Sequence, residues 1–421
     1  MTIIAVTGLV TFKKLISSTT DDWIDKLNHV YTVTILIILA TVISTNQFVG
    51  DPIFCWVPAE FTNAYEAYTK WYCWIKNTYF VPISDAIPID VNVRSNAELT
   101  YYQWVPLILM FMAFMFKFPH LLWTMMNTHT GLNLMKLVSI SEKVMLASKK
   151  ERDEHINHMA IFLDMWLRSH HYHNKHNFVA RAKTRISRVL CFVCNKREGK
   201  YLTALYFNIK VFYVVNVICQ FYLLNGFLGM DYNSLGYNVL NGLADSENWL
   251  ESPRFPRVTL CDFRIRQLEN IQRYTVQCVL PINLFNEKVF IFLWFWLFFI
   301  AVLSCVNLFK WFLLLVMRKN NYMFVRKYLK VSKTGEEKTM TVYEKKLCHR
   351  FAEFYLRDDG CFVLRILSLN SSDVVVADLV EHIWNQFKEE KDKELRKISK
   401  GQNDDDEYPD VPYIDQETEE H

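Results

Sequence analysis

At 421 residues, with a net charge of +3 and 51% hydrophobic residues, the chain has room for two soluble domains but not their composition. Aromatic residues make up 15%, and a mean hydropathy of +0.04 hides long uncharged stretches alternating with segments rich in Lys, Arg, Asp and Glu. Ten cysteines are too few for a small disulfide scaffold, so a disulfide-dense secreted mini-domain is excluded.

Residues 1–28 come first. Their apolar run, residues 3–12, is short, and Lys13 and Lys14 follow it rather than precede it. No cleavable signal peptide is expected. A helix crossing the hydrocarbon needs about 20 mostly apolar residues. Four stretches qualify: 29–48, 104–123, 207–228 and 288–317. The second contains Lys117 and Pro119, and Lys210 lies near the start of the third. Lys117 is costly at the bilayer centre. It faces either a protein interior or a water-filled path, or it snorkels to the interface. Pro119 is expected to kink its helix.

Flanking charge gives the orientation. Basic residues concentrate on the cytoplasmic side, within about 20 residues of each span. Lys13, Lys14 and Lys26 precede the first span, and Lys136 and Lys143 follow the second. Arg188, Lys196, Arg197 and Lys200 precede the third, and Arg318, Lys319, Arg326, Lys327, Lys330 and Lys333 follow the fourth. Equivalent windows on the other side hold only Arg94 and Arg273. Both termini and the loop 124–206 are therefore expected in the cytoplasm. The loops 49–103 and 229–287 are expected outside, in a plasma-membrane protein.

Each outer loop carries two cysteines: Cys55 and Cys73 with 17 residues between them, Cys261 and Cys278 with 16. Thiols outside the cell oxidise and disulfides persist there. Four cysteines allow three pairings, and the sequence does not choose among them. Cys219 and Cys305 fall in spans and read as packing residues. Cys348 and Cys361 fall in the tail. Cys191 and Cys194 make a single C-x-x-C after His170, His171, His173 and His176, but a lone pair is weak evidence for zinc. A di-iron membrane enzyme would need histidine boxes on separate segments. Here they crowd one loop, with His155 and His158, so neither metal nor cofactor is expected and the loop reads as a solvated basic face.

The first outer loop ends in Tyr101-Tyr102-Gln103-Trp104-Val105-Pro106. This closely resembles the YYQWVP signature of the innexins, the subunits of invertebrate gap junctions. Tyr and Trp favour the membrane–water interface, and Pro106 suits the first turn of a helix. Gly50-Asp51-Pro52-Ile53 before Cys55, Phe255-Pro256-Arg257 before Cys261, and Glu287 to Trp296 opening the fourth span resemble the same family. The likeness covers residues 1–330 and fades through the tail. The histidine-rich loop is not a family feature.

The resemblance implies an all-α membrane protein: four transmembrane helices, two disulfide-bonded extracellular loops and a helical cytoplasmic domain over 318–400. It implies a homo- or hetero-oligomer with other innexin subunits, an octameric hemichannel embedded in membrane lipid. That hemichannel docks with another on the adjacent cell to pass ions and small metabolites. No nucleic-acid partner and no enzymatic activity are expected. The alternatives are an undocked hemichannel of pannexin type and an adhesion protein that docks without conducting. The disulfide pairing taken as the expectation is Cys55 with Cys278 and Cys73 with Cys261. In this family residues 1–28 fold into the pore mouth, which would make Asp21, Asp22 and Asp25 candidates for acidic rings favouring cations. An ordinary helix start, where Asp is also favoured, is the other reading. Residues 401–421 hold nine Asp or Glu after Gly401 and no Lys or Arg, and are expected to be disordered.

Overall fold

The computed structural model describes residues 21–82, 84–145, 147–169, 199–244, 254–317, 319–332 and 341–399. Among these, four helices are long and apolar enough to cross a membrane: α1 (Trp23–Phe48), α4 (Val105–Asn127), α7 (Tyr201–Leu228) and α9 (Pro281–Val316). Apolar residues cover every face of α1, α7 and α9, as a helix solvated by lipid on one side and protein on the other requires. The helices contact one another in the order α1, α4, α7, α9 and back to α1.

Three helices begin earlier than the uncharged runs suggest, among them α9, at Pro281 rather than Lys288. Helix α1 starts at Trp23 rather than His29, because Asp25 and Asn28 are buried against neighbouring helices instead of facing lipid. Its segment Leu27–Thr32 is π-helical, and the Thr32 hydroxyl donates to the Leu27 carbonyl at 2.9 Å. Helix α7 starts at Tyr201 because its first turns belong to the helical domain.

At one end of the bundle the two inter-helix loops fold together into a sheet, which the sequence reading did not anticipate. Its strands are β1 (Phe54–Trp56), β2 (Thr78–Tyr79), β3 (Glu98–Leu99), β4 (Val258–Gln267) and β5 (Asn270–Val279), ordered β1-β5-β4-β2-β3 and antiparallel. Strands β4 and β5 form a hairpin in continuous register from Val258↔Val279 to Gln267↔Asn270. Helix α2 (Asn63–Lys76) lies against β4, and the short α3 (Val91–Asn96) leads into β3. Phe61, Tyr72, Phe263 and Tyr274 pack their rings together as this module's core.

The other end carries α5 (Leu134–Val144), α6 (Lys149–Ser169), α10 (Lys319–Ser332), α11 (Val342–Arg350), α12 (Arg357–Asn370) and α13 (Asp373–Ser399). Helix α8 (Leu235–Ala244) lies at the sheet end beside α9. Apolar residues of these helices merge with the ends of α4, α7 and α9 into one core. Trp123, Tyr206, Trp311 and Phe362 meet ring to ring at the junction, with centroids 4.8–6.3 Å apart. Aromatic contacts of this kind couple the helical domain rigidly to three spans.

Candidate functional site

The start of α1 is bound to the other three spans by buried charge. Lys210 of α7, 3% exposed, places its ammonium 3.0 Å from Asp22 and 2.6 Å from Asp25. The Tyr206 hydroxyl donates to Asp25 at 2.9 Å, and the Trp311 indole N–H donates to Asp22 at 2.7 Å. The ammonium also lies 4.6 Å from the Tyr206 ring centroid, a favourable cation–π distance. Three donors therefore converge on two carboxylates from α7 and α9.

Asp21 engages a second group. Its carboxylate lies 2.8 Å from His29 Nε2 and 3.1 Å from His120 Nδ1 of α4, and the two imidazoles stack with centroids 4.0 Å apart. Lys117 Nζ stands 3.3 Å from His29 Nδ1, so it faces protein rather than lipid. The three ligand-type atoms fall within 4.8 Å of one another. The Lys117 ammonium at the second His29 nitrogen nevertheless opposes a divalent cation, and Asp21 and His29 are joined by a hydrogen bond.

At the sheet end two disulfides join what the sequence separates. Cys55 is bonded to Cys278 and Cys73 to Cys261, across 223 and 188 residues. The first links register partners in β1 and β5; the second fastens α2 to β4. Asp262 locks β2, β4, β5 and α3 together. It accepts from Tyr79 at 3.1 Å, Arg94 at 2.7 Å and Thr275 at 2.7 Å. Burial alone would raise its pKa, but these bonds hold the carboxyl below its ordinary range.

The Tyr101–Pro106 motif hinges this module onto α4. Gln47 at the end of α1 donates to the Tyr102 carbonyl at 2.8 Å, the Tyr102 ring lies 4.9 Å from Trp74, and Gln103 donates to the Trp74 carbonyl. Tyr101 donates to the Arg254 carbonyl at 2.8 Å. Trp104 stays exposed, and Pro106 sits in the first turn of α4.

Comparison with known proteins gives the family. The Innexin family profile matches residues 21–387. The chain is an innexin. It is 38% identical over 378 residues to "Innexin unc-9" of Caenorhabditis elegans, covering 90% of this chain and 95% of that protein. It is 34% identical to "Innexin-19" of the same species, over 91% of this chain and 89% of the other. "Innexin eat-5" shares 33%, over 87% and 86%. The chain is thus a four-span membrane subunit of a gap junction channel, and innexins assemble into oligomeric channels with one another.

Within this innexin the three candidate pore residues lie inside the bundle. Asp21 and Asp25 are buried and Asp22 nearly so, each with its carboxylate paired inside the bundle. A carboxylate already neutralised by Lys210 presents little free charge to a permeant ion. The sequence reading missed Lys210 as their partner. A lysine in an apolar stretch, one helix away from Asp residues, was the available signal. Residues 1–20, His170–His176, Cys191 and Cys194, and the acidic segment 401–421 lie outside the described residues. His155 and His158 are exposed on α6, as a solvated face requires, and Cys348 and Cys361 are buried in the helical domain. Cys219 and Cys305, expected to pack, face outward from their spans.

One further buried carboxylate caps the first turn of α7. Asp359 accepts from the Thr203 amide at 3.0 Å and the Thr203 hydroxyl at 2.9 Å. Burial pushes its pKa up to about 6. A folded pKa above the unfolded value favours the protonated fold, so this contribution is full below about pH 4 and lost as pH rises through 6. Thermal melts of solubilised protein should show Asp359→Asn losing stability relative to wild type as pH falls from 7 to 5. The change should reach a few kcal/mol at most. A pH-independent difference would contradict the assignment.

Proposed function

We propose that this subunit forms an octameric ring, and that the ring docks end-on with a ring in the adjacent membrane through the tip of the β4–β5 hairpin. Both termini and the helical domain lie in the cytoplasm, as the excess of basic residues flanking that end of the bundle supports. The chain acts as a conduit for ions and small metabolites rather than as a catalyst, and it assembles with its own copies or with other innexins.

The hairpin tip carries the docking reading. Strand β2 pairs with β4 only at Leu260, and β1 pairs with β5 only from Gln277 to Val279. Past those residues both outer edges of the hairpin lack a strand partner among the described residues. Unpaired edges are templates for pairing with another chain. At the turn, Leu268 is fully exposed with φ of 56°, a left-handed conformation costly for a leucine. Ile271 is 61% exposed beside it. Strained, apolar and outermost, this turn suits a contact surface.

Leu268→Asp is expected to abolish dye transfer between paired expressing cells while leaving single-cell hemichannel conductance within about twofold of wild type. Unchanged dye transfer would refute the docking role of the tip. Loss of both readouts would mean that the tip serves folding or ring assembly rather than docking.

A further inference from the structure

A groove of about 560 Å³ runs along the outside of the bundle between α4 and α7, close to the sheet end. It falls in the range of about 300–1,000 Å³ typical of small-molecule sites. Its walls are Tyr101, Trp104, Ile108 and Phe111 on the α4 side, Gly226 and Phe227 on the α7 side. A Cβ at Gly226 would meet nothing within 4 Å, so the glycine opens the trough rather than tightening a helix contact. Tyr101 and Trp104 mark the level where a span meets the lipid headgroups.

Arg254 stands at the head of this trough. Its guanidinium carbon is 5.4 Å from the Tyr101 ring centroid. Its Nη2 lies 2.9 Å from where a Gly229 Cβ would stand, one turn beyond Gly226 on α7. Gly229 takes φ of 58° to end the helix, and the missing side chain makes room for the arginine. The Nε of Arg254 is buried without a hydrogen-bond partner, and among the described residues no carboxylate pairs with the guanidinium. Arg254 is half-buried, and an always-charged group whose Nε is shielded from water gains from an anionic partner. An anionic ligand group would complete it.

We propose that this cleft binds a glycerophospholipid, with one acyl chain along the Trp104–Phe111 and Gly226–Phe227 walls and its phosphate on Arg254. An apolar trough ending in a cation at headgroup level matches that molecule from end to end. A sterol supplies no anion. Guanidinium forms forked, charge-assisted hydrogen bonds to phosphate oxygens. The inference needs only that α4 and α7 cross the bilayer. It does not depend on ring size, orientation or docking, so the two readings fail separately.

The test uses full-length protein and photoactivatable phosphatidylcholine carrying a diazirine in one acyl chain, with diacylglycerol bearing the same chain as control. Adducts are located by peptide mass spectrometry. Wild type should label on peptides holding Trp104–Phe111 and Gly226–Phe227, about tenfold more with phosphatidylcholine than with diacylglycerol, as one charge-assisted phosphate contact implies. Arg254→Gln should fall to the diacylglycerol level, with Arg254→Lys intermediate. Gly226→Phe, which fills the trough, should lose labelling while keeping the wild-type elution volume. Equal labelling by both probes, or of Arg254→Gln and wild type, would overturn the phosphate contact. Absence of labelling together with cysteine crosslinking of Phe227→Cys between copies would assign the groove to a neighbouring subunit and overturn the proposal. Displacement of the probe by inorganic phosphate alone would reduce the site to an anion site and overturn the acyl-chain half.

Discussion

Lys210→Met is expected to destabilise the assembled protein by about 3–5 kcal/mol, the cost of leaving buried partners of an ion pair uncompensated. The ammonium is the cation within ion-pairing distance of both Asp22 and Asp25, and Asp25 is 3% exposed. Tyr206 and Trp311 still donate one bond to each carboxylate, which lessens the loss without abolishing it. Methionine keeps the length of the side chain, so the change tests charge rather than volume. Adding Asp25→Asn and Asp22→Asn to Lys210→Met removes both signs together. It should recover most of the stability, because a buried pair replaced whole is often neutral. Fluorescence-detected size-exclusion after a heat ramp reads the difference. A Lys210→Met protein as heat-resistant as wild type would show that the carboxylates are not buried as charges. The same geometry separates Asp25→Asn from a selectivity change: it should lower thermal stability and leave the reversal potential where it was.

The cost of that cluster explains what could be seen in the sequence and what could not. Spans are legible because lipid imposes one rule, about 20 apolar residues, on a contiguous stretch. The Tyr101–Pro106 hinge is legible because its residue types each have a reason to stand at an interface. The pairing of Lys210 with Asp22 and Asp25 joins residues 188 and 185 apart in sequence. No local period records such a contact. Asp residues just before an apolar run therefore read equally well as a pore rim or as a helix start, and three-dimensional packing makes them a clasp. The sheet escaped notice for a related reason. Strands β1, β2 and β3 have three, two and two residues, too short for alternation to show, and they gain partners only when both loops meet. The β4–β5 hairpin alternates as a strand should, with Leu268 and Glu269 between its strands instead of the usual Asn-Gly.

Removing the Cys73–Cys261 bridge by double serine substitution should cost about 2–5 kcal/mol of stability in the sheet module and reduce coupling between cells to background. The two bridges are not equivalent. Cys55 and Cys278 join strands that β-pairing already holds in register, so their bond reinforces a contact the backbone also makes. Cys73 sits on α2, which has no backbone pairing to the sheet. Apart from the bridge, α2 is held to β4 by Tyr72 on Phe263, with Phe61 packed alongside. Without the bond α2 can lift from β4, and the aromatic core beneath the hairpin opens to water. Burying those rings contributes about 1.5–3 kcal/mol apiece, so they hold the helix in part but not in one position. Cys55→Ser with Cys278→Ser should therefore impair dye transfer less than Cys73→Ser with Cys261→Ser. Added protease should cleave the second variant faster than the first at Lys70 or Lys76 on α2. Equal coupling in the two variants, or wild-type coupling in either, would show that the sheet positions the hairpin tip without its helix.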